Sequence, residues 1–567
     1  MLGHTGTAAE LRDQIPVGRL DGLLDDASAR FGDHHAISFL GRTWTYRTLD
    51  ALVDRAARGF QDLGVKRGDR IGLCLPNTPY SVIIYYAAMK VGAIVVNMNP
   101  LYVARELEFM LNDSGARLVV TVDLSLTLPK LTGLIGKTPL ETIIVCPMTK
   151  VMPFTTGLLM RLFRRKTLAK MPLDGHHMSY RQLLARGGAV PVPIDPHRDI
   201  AVLQYTGGTT GTPKAAMLSH ANLTANVSQI VMCFPVLKSG SERVLGILPL
   251  FHVFAMTAVM NLGIRLGATL ILVPRFDVDQ LIKTIGAEKP TLFPGVPTLY
   301  SALSAAVTKH PRDITSITHC ISGGAPLPLE VKRRFEALAK CRLFEGYGLT
   351  EASPVVTVTP VDDHIRPGSI GLNLFGTEVE IRSLEDGRLL AAGERGEICV
   401  RGPQIMCGYW QQAEETERTY IDGALKTGDI GYRDADGWYY LVDRIKDVII
   451  SSGFNVYPRV IEEALYQHPA VGDAVVIGVP DDYRGQAPKA FVELKPGMVA
   501  TSDDLRNHLN EYVSRIEMPR DIEIRKGLPR TMIGKLSKKE LIAEERMKLA
   551  VFEADDTAGM SEAPATA

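Results

Sequence analysis

Apolar residues recur at helical spacing through Leu49, Leu52, Val53, Ala56, Phe60 and Leu63, and Gly64 follows where a helix C-terminal cap belongs. The run Asp69–Leu75 then reads as a buried strand closed by Pro76-Asn77. A helix around Tyr80–Lys90, a strand at Ala93–Val96, a helix near Arg105–Asn112 and a strand at Leu118–Val122 continue the alternation. Strands that alternate with helices predict parallel βαβ units wound into a sheet, with ligands at the carboxyl ends of the strands. The most apolar windows, Ser81–Met98 and Val244–Ile264, are broken by Lys90 and by Pro249, His252 and Asn261, so neither reads as a membrane span.

The stretch 142–173 departs from that rhythm. Lys150, Arg161, Arg164, Arg165, Lys166 and Lys170 occur there without a single acidic residue, interleaved with Phe154, Leu158, Leu159, Met160, Leu162 and Phe163. Two readings stand: a solvated surface helix, or an amphipathic patch over residues 150–170 that makes weak contact with an anionic membrane. Pro191–Pro196 reads as a linker. Beyond Lys446 the pattern changes again, with a helix opened by Pro458, strands at Val475–Val479, Ala490–Leu494 and Asp521–Arg525, and a helix at Asp503–Val513. The expected organisation is a large N-terminal domain over 20–443, a small α+β domain over 446–550 and a disordered tail over 551–567.

The chain has 567 residues, 46% hydrophobic and 22% charged, with 63 basic and 63 acidic side chains. The balance of charge argues against nucleic acid as a partner. Seven cysteines without a CxxC pair argue against structural zinc or a disulfide framework and fit a cytoplasmic setting. The oligomeric state stays open, a homodimer being one option.

The most informative stretch is Tyr205-Thr-Gly-Gly-Thr-Thr-Gly-Thr-Pro-Lys214. Gly207, Gly208 and Gly211 allow backbone N–H groups to approach phosphate, Thr206, Thr209, Thr210 and Thr212 add hydroxyl donors, and Lys214 supplies a cation. This is not a Walker A loop, because Lys214 lies between Pro213 and Ala215 rather than in a Gly-Lys-Ser/Thr run.

Thr206–Lys214 resembles the phosphate loop of the adenylate-forming superfamily, which holds acyl-CoA synthetases, peptide-synthetase adenylation domains and beetle luciferases. Seven further motifs follow in that family's order: Pro249–His252, Ser322–Pro326, Glu345–Glu351, Lys426–Asp429, Val442–Lys446, Ser452–Pro458 and Leu528–Lys535. The resemblance covers about residues 20–547. Asn99-Pro-Leu-Tyr, Gln204-Tyr-Thr-Gly-Gly and Gly402-Pro-Gln-Ile-Met are similar to the bacterial long-chain fatty acyl-CoA synthetase branch.

The resemblance implies an α/β fold: a large domain of doubly wound sheets with a β-rich subdomain, and a small α+β lid. It implies that a fatty acid is activated with ATP and Mg²⁺ to an acyl-adenylate and passed to coenzyme A. Thr206–Lys214 would hold the β- and γ-phosphates, Thr350 the α-phosphate and Glu351 the Mg²⁺. Tyr347 would face adenine, with Gly323, Gly324 and Ala325 on its other side and Glu345, Gly346 and Gly348 shaping the loop. Asp429 and Arg444 would take the ribose, and Lys535 would bridge carboxylate and α-phosphate. Lys446 would be the pivot of the small domain, and Gly453 would line the pantetheine tunnel. His252 is either a core histidine or a gate beside the acyl carboxylate, and the acyl tunnel would run past Gly295–Val296 and Gly323–Gly324.

Three positions depart from the family's pattern: Val460, the run Ile516-Glu-Met-Pro519, and Ser537-Lys538. All lie in the small domain; none removes an adenylating residue, and they bear on coenzyme A use and domain alternation. An adenylating enzyme that delivers to a carrier-protein thiol, or that takes a medium-chain or aromatic acid, remains the alternative. A luciferase-like oxygenase and a silent acyl-binding protein are the further options.

Overall fold

The helix Pro79–Lys90 is apolar on every side, and all of Pro79–Met89 is buried. The Thr78 amide donates to Ser81 Oγ (3.2 Å), and the far end closes on Lys90, which pairs with Asp54 (2.8 Å), Asp25 (3.2 Å) and Asp50 (3.6 Å). A helix that is hydrophobic all round belongs inside a protein, between layers. Most of the Ser81–Met98 window is thus core, with Ile94–Asn97 as the next strand.

This computed structural model describes residues 8–184, 187–206, 213–361, 366–481, 483–531 and 536–559. The chain forms two compact units. The first comprises Met1–Val379 and Val400–Leu425, the second Glu380–Cys399 and Lys426–Ala567. The division therefore falls earlier than the expected border near 443, and the small unit recruits a short excursion from within the large one.

The large unit holds two sheets. In the seven-stranded sheet the order is His177–Ser179, Thr142–Cys146, Leu118–Val122, Arg70–Cys74, Ile94–Asn97, Ile200–Thr206 and Lys214–Ser219. All neighbours run parallel except the last pair, an antiparallel hairpin. In the nine-stranded sheet six central strands are parallel: Arg342–Gly348, His319–Gly323, Leu292–Gly295, Arg243–Gly246, Thr269–Leu272 and His35–Phe39. The Val244–Ile264 window splits into one of these strands and a helical run whose middle, Met256–Asn261, is a π-helix; Asn261 there accepts from the Tyr86 hydroxyl (3.0 Å). The expected linker at 191–196 lies along the large unit, where Val192 O accepts from Arg19 (2.9 Å) and Pro196 O from the Ala221 amide (2.7 Å).

A five-stranded sheet in the order Glu378–Arg382, Gly396–Arg401, Ala424–Arg433 and Tyr420–Ile421, with Tyr439–Arg444 beside Ala424–Arg433, supplies the expected β-rich part. The C-terminal part of the small unit has its own sheet of Phe454–Val456, Ile449–Ser451, Gly485–Leu494 and Val471–Asp481, with Asp521–Arg525 added parallel to Gly485–Leu494. The helices Pro458–Tyr466 and Ser502–Leu509 bury Ile461, Leu465, Leu505 and Leu509 in its core. One of the departures has a packing role here, since Ile516 and Met518 of the Ile516–Pro519 run lie against that core. The last helix, Lys538–Gly559, runs on into the stretch expected to be disordered.

Candidate active site

Thr206 and Lys214 close the base of the glycine-rich hairpin as paired residues, and Thr206 Oγ1 donates to Lys214 O (3.3 Å). Gly207–Thr212 lie outside the described residues. The hairpin's strand is joined by a segment from much later in the chain: the Met217 amide donates to Gly408 O (2.9 Å), Cys407 N to Met217 O (2.9 Å) and Trp410 N to Ala215 O (2.8 Å). That segment also reaches the other sheet, because the Met406 amide donates to Glu351 O (2.8 Å).

Glu351 lies in the turn Thr350–Ala352, just past the strand Arg342–Gly348. The turn is tight: a Cβ on Gly348 would fall 2.0 Å from Pro354 O, so only glycine fits. The Tyr409 hydroxyl donates to Glu351 Oε1 (2.8 Å), and the Tyr409 ring lies beneath the Lys214 ammonium, 5.5 Å from its centroid. Lys214 is itself paired with Glu415. Burial, and then the Glu351 carboxylate, push the Tyr409 phenol well above its ordinary value, so it stays a donor. The expected phosphate cation and the expected metal ligand are therefore linked through one tyrosine. Among the described residues no three His, Cys, Asp or Glu side chains gather into a metal cluster. A lone carboxylate fits Mg²⁺, which takes one or two carboxylates and completes its shell with substrate phosphates and water.

The two parallel strands His319–Gly323 and Arg342–Gly348 end together, with Gly323 opposite Gly346. This brings Gly323, Gly324 and Ala325 beside Gly346 and Tyr347, at the carboxyl edge where ligands of such sheets bind. Gly324 takes a left-handed φ of +79°. The Glu345 carboxylate accepts from the Leu327 amide (3.4 Å), which ties the two loops together. His252 caps the helical run that starts at Val253, its Nδ1 accepting from the Phe254 amide (3.3 Å). Gln204 fixes this loop to the hairpin strand: it donates to Phe251 O (3.1 Å) and accepts from Asn97 (3.0 Å). The room expected beside Gly295 and Gly323 is occupied. The Tyr300 ring fills the space at Gly295, its hydroxyl donating to Phe293 O (2.7 Å), and the Phe254 ring lies against Gly323.

In the small unit, Asp429 and Arg444 are antiparallel partners, and Arg444 Nε lies 3.1 Å from the Asp429 carboxylate. Asp429 is 3% exposed. Together with Thr427, Gly428, Ile445 and Lys446 they line a cleft of about 290 Å³. A carboxylate and a guanidinium at its wall suit a vicinal diol. The Gly428 amide donates to Glu397 (3.0 Å), whose carboxyl is pushed up by burial. Burial and then the Arg444 charge lower the Lys446 ammonium. Gly453, at φ +82°, makes the turn between Ile449–Ser451 and Phe454–Val456. Lys535 lies outside the described residues. Lys538, one of the departures, pairs with Glu462 (3.3 Å) and Asp447 (3.9 Å). Burial alone would lower its ammonium, but Glu462, Asp443 and Asp447 outweigh that and raise it.

Sequence reasoning missed Tyr409 and Glu415. Both are separated from their partners by long stretches of chain, so no local spacing announced them; the Gly402–Met406 run just before them was the nearest signal.

A loop suited to phosphates at the edge of one parallel sheet, with an acidic turn from the end of the other tied to it, belongs to an enzyme that handles a nucleotide. Residues 24–410 match the family described as AMP-binding enzyme and residues 460–535 its C-terminal domain, and the chain belongs to that family. Among its relatives, the long-chain-fatty-acid–CoA ligase of Bacillus subtilis (strain 168) is 43% identical over 538 residues, 94% of this chain and 95% of that one. The enzyme of the same description from Salmonella typhimurium is 38% identical, covering 93% and 94%. Among solved structures, an anthranilate CoA ligase in complex with anthranoyl-AMP superposes with a TM-score of 0.84 at 26% identity, over 96% of this chain and 100% of that one. A benzoate CoA ligase from Burkholderia xenovorans LB400 gives 0.80 at 25% identity, over 93% and 100%.

Proposed function

We propose that this chain is a fatty acid–CoA ligase acting on long-chain acids, with ATP and coenzyme A as co-substrates. The observation that supports it most is the full-length similarity to relatives of that description, which spans both units. A carboxylate cannot exchange its oxide for a thiolate at neutral pH, so it first attacks the α-phosphate of ATP and expels pyrophosphate. The thiolate of coenzyme A then takes the acyl group and releases AMP.

The residues divide that work. Thr206–Lys214 bind the outer phosphates with backbone amides, hydroxyls and one cation. Thr350 contacts the α-phosphate, and Glu351 is the side chain that would hold Mg²⁺, whose charge neutralises phosphate oxygens when bound. Tyr347 and Gly323–Ala325 flank the adenine, Asp429 accepts from the ribose hydroxyls and Arg444 supports it. Lys535 stabilises the charge that builds at the α-phosphate. Lys446 is the pivot for the second half-reaction, and Gly453 lines the coenzyme A path. His252 stands beside the acyl carboxylate.

Pyrophosphate release and acyl-CoA formation, measured across acids of increasing chain length with and without coenzyme A, test the reading. Each added methylene held by apolar surface should contribute about 0.8 kcal/mol until the site is full. A profile flat with chain length, or a preference for aromatic acids, would reject the long-chain assignment. Acyl-AMP formed without acyl-CoA would instead favour delivery to a carrier-protein thiol.

A further inference from the structure

The helix Phe154–Phe163 in the large unit is oriented opposite to an ordinary surface helix. With 3.6 residues per turn, Phe154, Leu158 and Leu162 follow one line and Leu159 and Phe163 the next, an apolar arc over about half the circumference. All five are exposed: Phe154 by 85%, Phe163 by 80% and Leu162 by 64%. The side turned to the protein carries Gly157, the one buried residue of the helix, where a Cβ would come 2.8 Å from Thr149 O. By contrast, Leu329–Ala339 on the same unit buries Phe335 and Ala339 and leaves Arg333 and Arg334 exposed. The apolar arc of Phe154–Phe163 thus faces away from the core.

Charge surrounds this arc. Arg161, Arg164, Arg165 and Lys166 are exposed at its C-terminal end, with Lys150 and Lys170 exposed on either flank. The patch is held firmly: the Ser125 amide donates to Thr167 O (3.0 Å) and Ala169 N to Asp123 O (3.0 Å), and Arg161 Nε reaches Thr149 Oγ1 (3.3 Å). Leu126 (64% exposed) and Leu173 (97% exposed) add apolar surface on the same stretches of chain.

We propose that this patch docks on an anionic lipid bilayer, with the helix lying in the interface plane. Apolar side chains facing outward amid six cations match a surface that is negative at the headgroups and apolar just beneath. An apolar partner protein would account for the leucines and phenylalanines but not for the uninterrupted positive charge. The inference does not depend on the ligase reading, because its readout is binding rather than turnover.

The test is co-sedimentation of the full-length protein with phosphatidylcholine vesicles, with and without phosphatidylglycerol, at low and high salt. Binding should require the anionic lipid and weaken with salt. Changing Arg161, Arg164 and Arg165 together to Gln should cut it about tenfold or more. Phe154→Ser with Phe163→Ser should cut it by a similar factor at both salt concentrations. Thr155→Trp, in the middle of the arc, should tighten it, a gain that no folding defect would produce. Absence of binding, equal binding to phosphatidylcholine alone, or variants that bind like the parent would overturn the proposal. So would a dimer in solution that Phe154→Ser with Phe163→Ser dissolves while vesicle binding stays unchanged.

Discussion

The two units each hold their own candidate site residues, and by different means. In the large unit the polar groups stand on the ends of strands whose flanks are apolar and closed, and they are aligned by backbone hydrogen bonds from the segment Met406–Trp410. In the small unit the site pair Asp429–Arg444 is itself an ion pair, and further ion pairs run through the fold of that unit. Lys489, 9% exposed in the middle of its sheet, pairs with Glu523 (3.0 Å), Glu545 (3.1 Å) and Asp521 (3.4 Å), and Lys538 pairs with Glu462. Burial would raise Glu523, yet Arg525 and Lys489 hold it down at about 2. A large core can fix geometry through packing, whereas a small one has less apolar material and fixes it through charge.

That contrast can be broken at several points. Lys535→Ala should slow adenylation about a hundred- to a thousand-fold, the cost of one lost charge-stabilising donor, and spare thioesterification of supplied acyl-AMP. Half-reaction rates measured separately would show it, and equal losses would end the assignment. Lys538→Met should destabilise the small unit by about 3 kcal/mol, since it leaves Glu462 buried without its partner. Differential scanning calorimetry should show a transition of the small unit moving down while that of the large unit stays; one transition shifting intact would mean that the units unfold together.

The large unit has a titration of its own. His220 is fully buried, its Nδ1 accepts from the Leu20 amide (3.1 Å), and burial lowers it to about 4. Its folded value lies below its unfolded one, so the unfolded chain binds the extra proton and stability falls as pH drops below about 6.5. Between pH 6.5 and 5 the loss should reach about 2 kcal/mol. His220→Asn should flatten that slope in urea melts, and an unchanged slope would place the acid sensitivity elsewhere. The smallest effect concerns Glu415, which would have to release Lys214 if Lys214 takes the proposed phosphate role. Glu415→Gln should lower the KM for ATP about two- to fivefold, as expected for a pair that is about one-third exposed on both sides. A raised KM would show that Glu415 helps to bind nucleotide instead.

The alternation of elements from Thr43 to Val122 was legible because each strand and helix declares its own period, and Leu118–Val122 and Asp521–Arg525 form as read. The glycine-rich run, Glu351 and the Asp429–Arg444 pair stood out as ordered motifs, and of these the Asp429–Arg444 contact is itself visible in the structure. What escaped was whatever depends on distant chain. Tyr409 links Lys214 to Glu351 from nearly two hundred residues beyond the loop. The Glu380–Cys399 excursion was not read from the sequence, and the rings of Tyr300 and Phe254 take up space that small residues suggested was open. The outward face of Phe154–Phe163 was also undecidable from pattern, because periodicity gives the width of an apolar stripe but not the side on which the protein lies.

The edge of the nine-stranded sheet sets a timetable for synthesis. Ile37 pairs with Leu270, 233 residues later, and among the described residues the hairpin His35–Thr45 has no other neighbour in that sheet. At about 5–20 residues per second, a ribosome needs roughly 10 to 50 seconds to deliver the partner strand. Throughout that interval the seven-stranded sheet can begin to assemble, while the first strand of the chain waits with one edge bare. Chaperone demand in the cell should therefore peak midway through translation, and the N-terminal hairpin should gain protection from hydrogen exchange only after Thr269–Leu272 has been made, later than Arg70–Cys74 and Leu118–Val122.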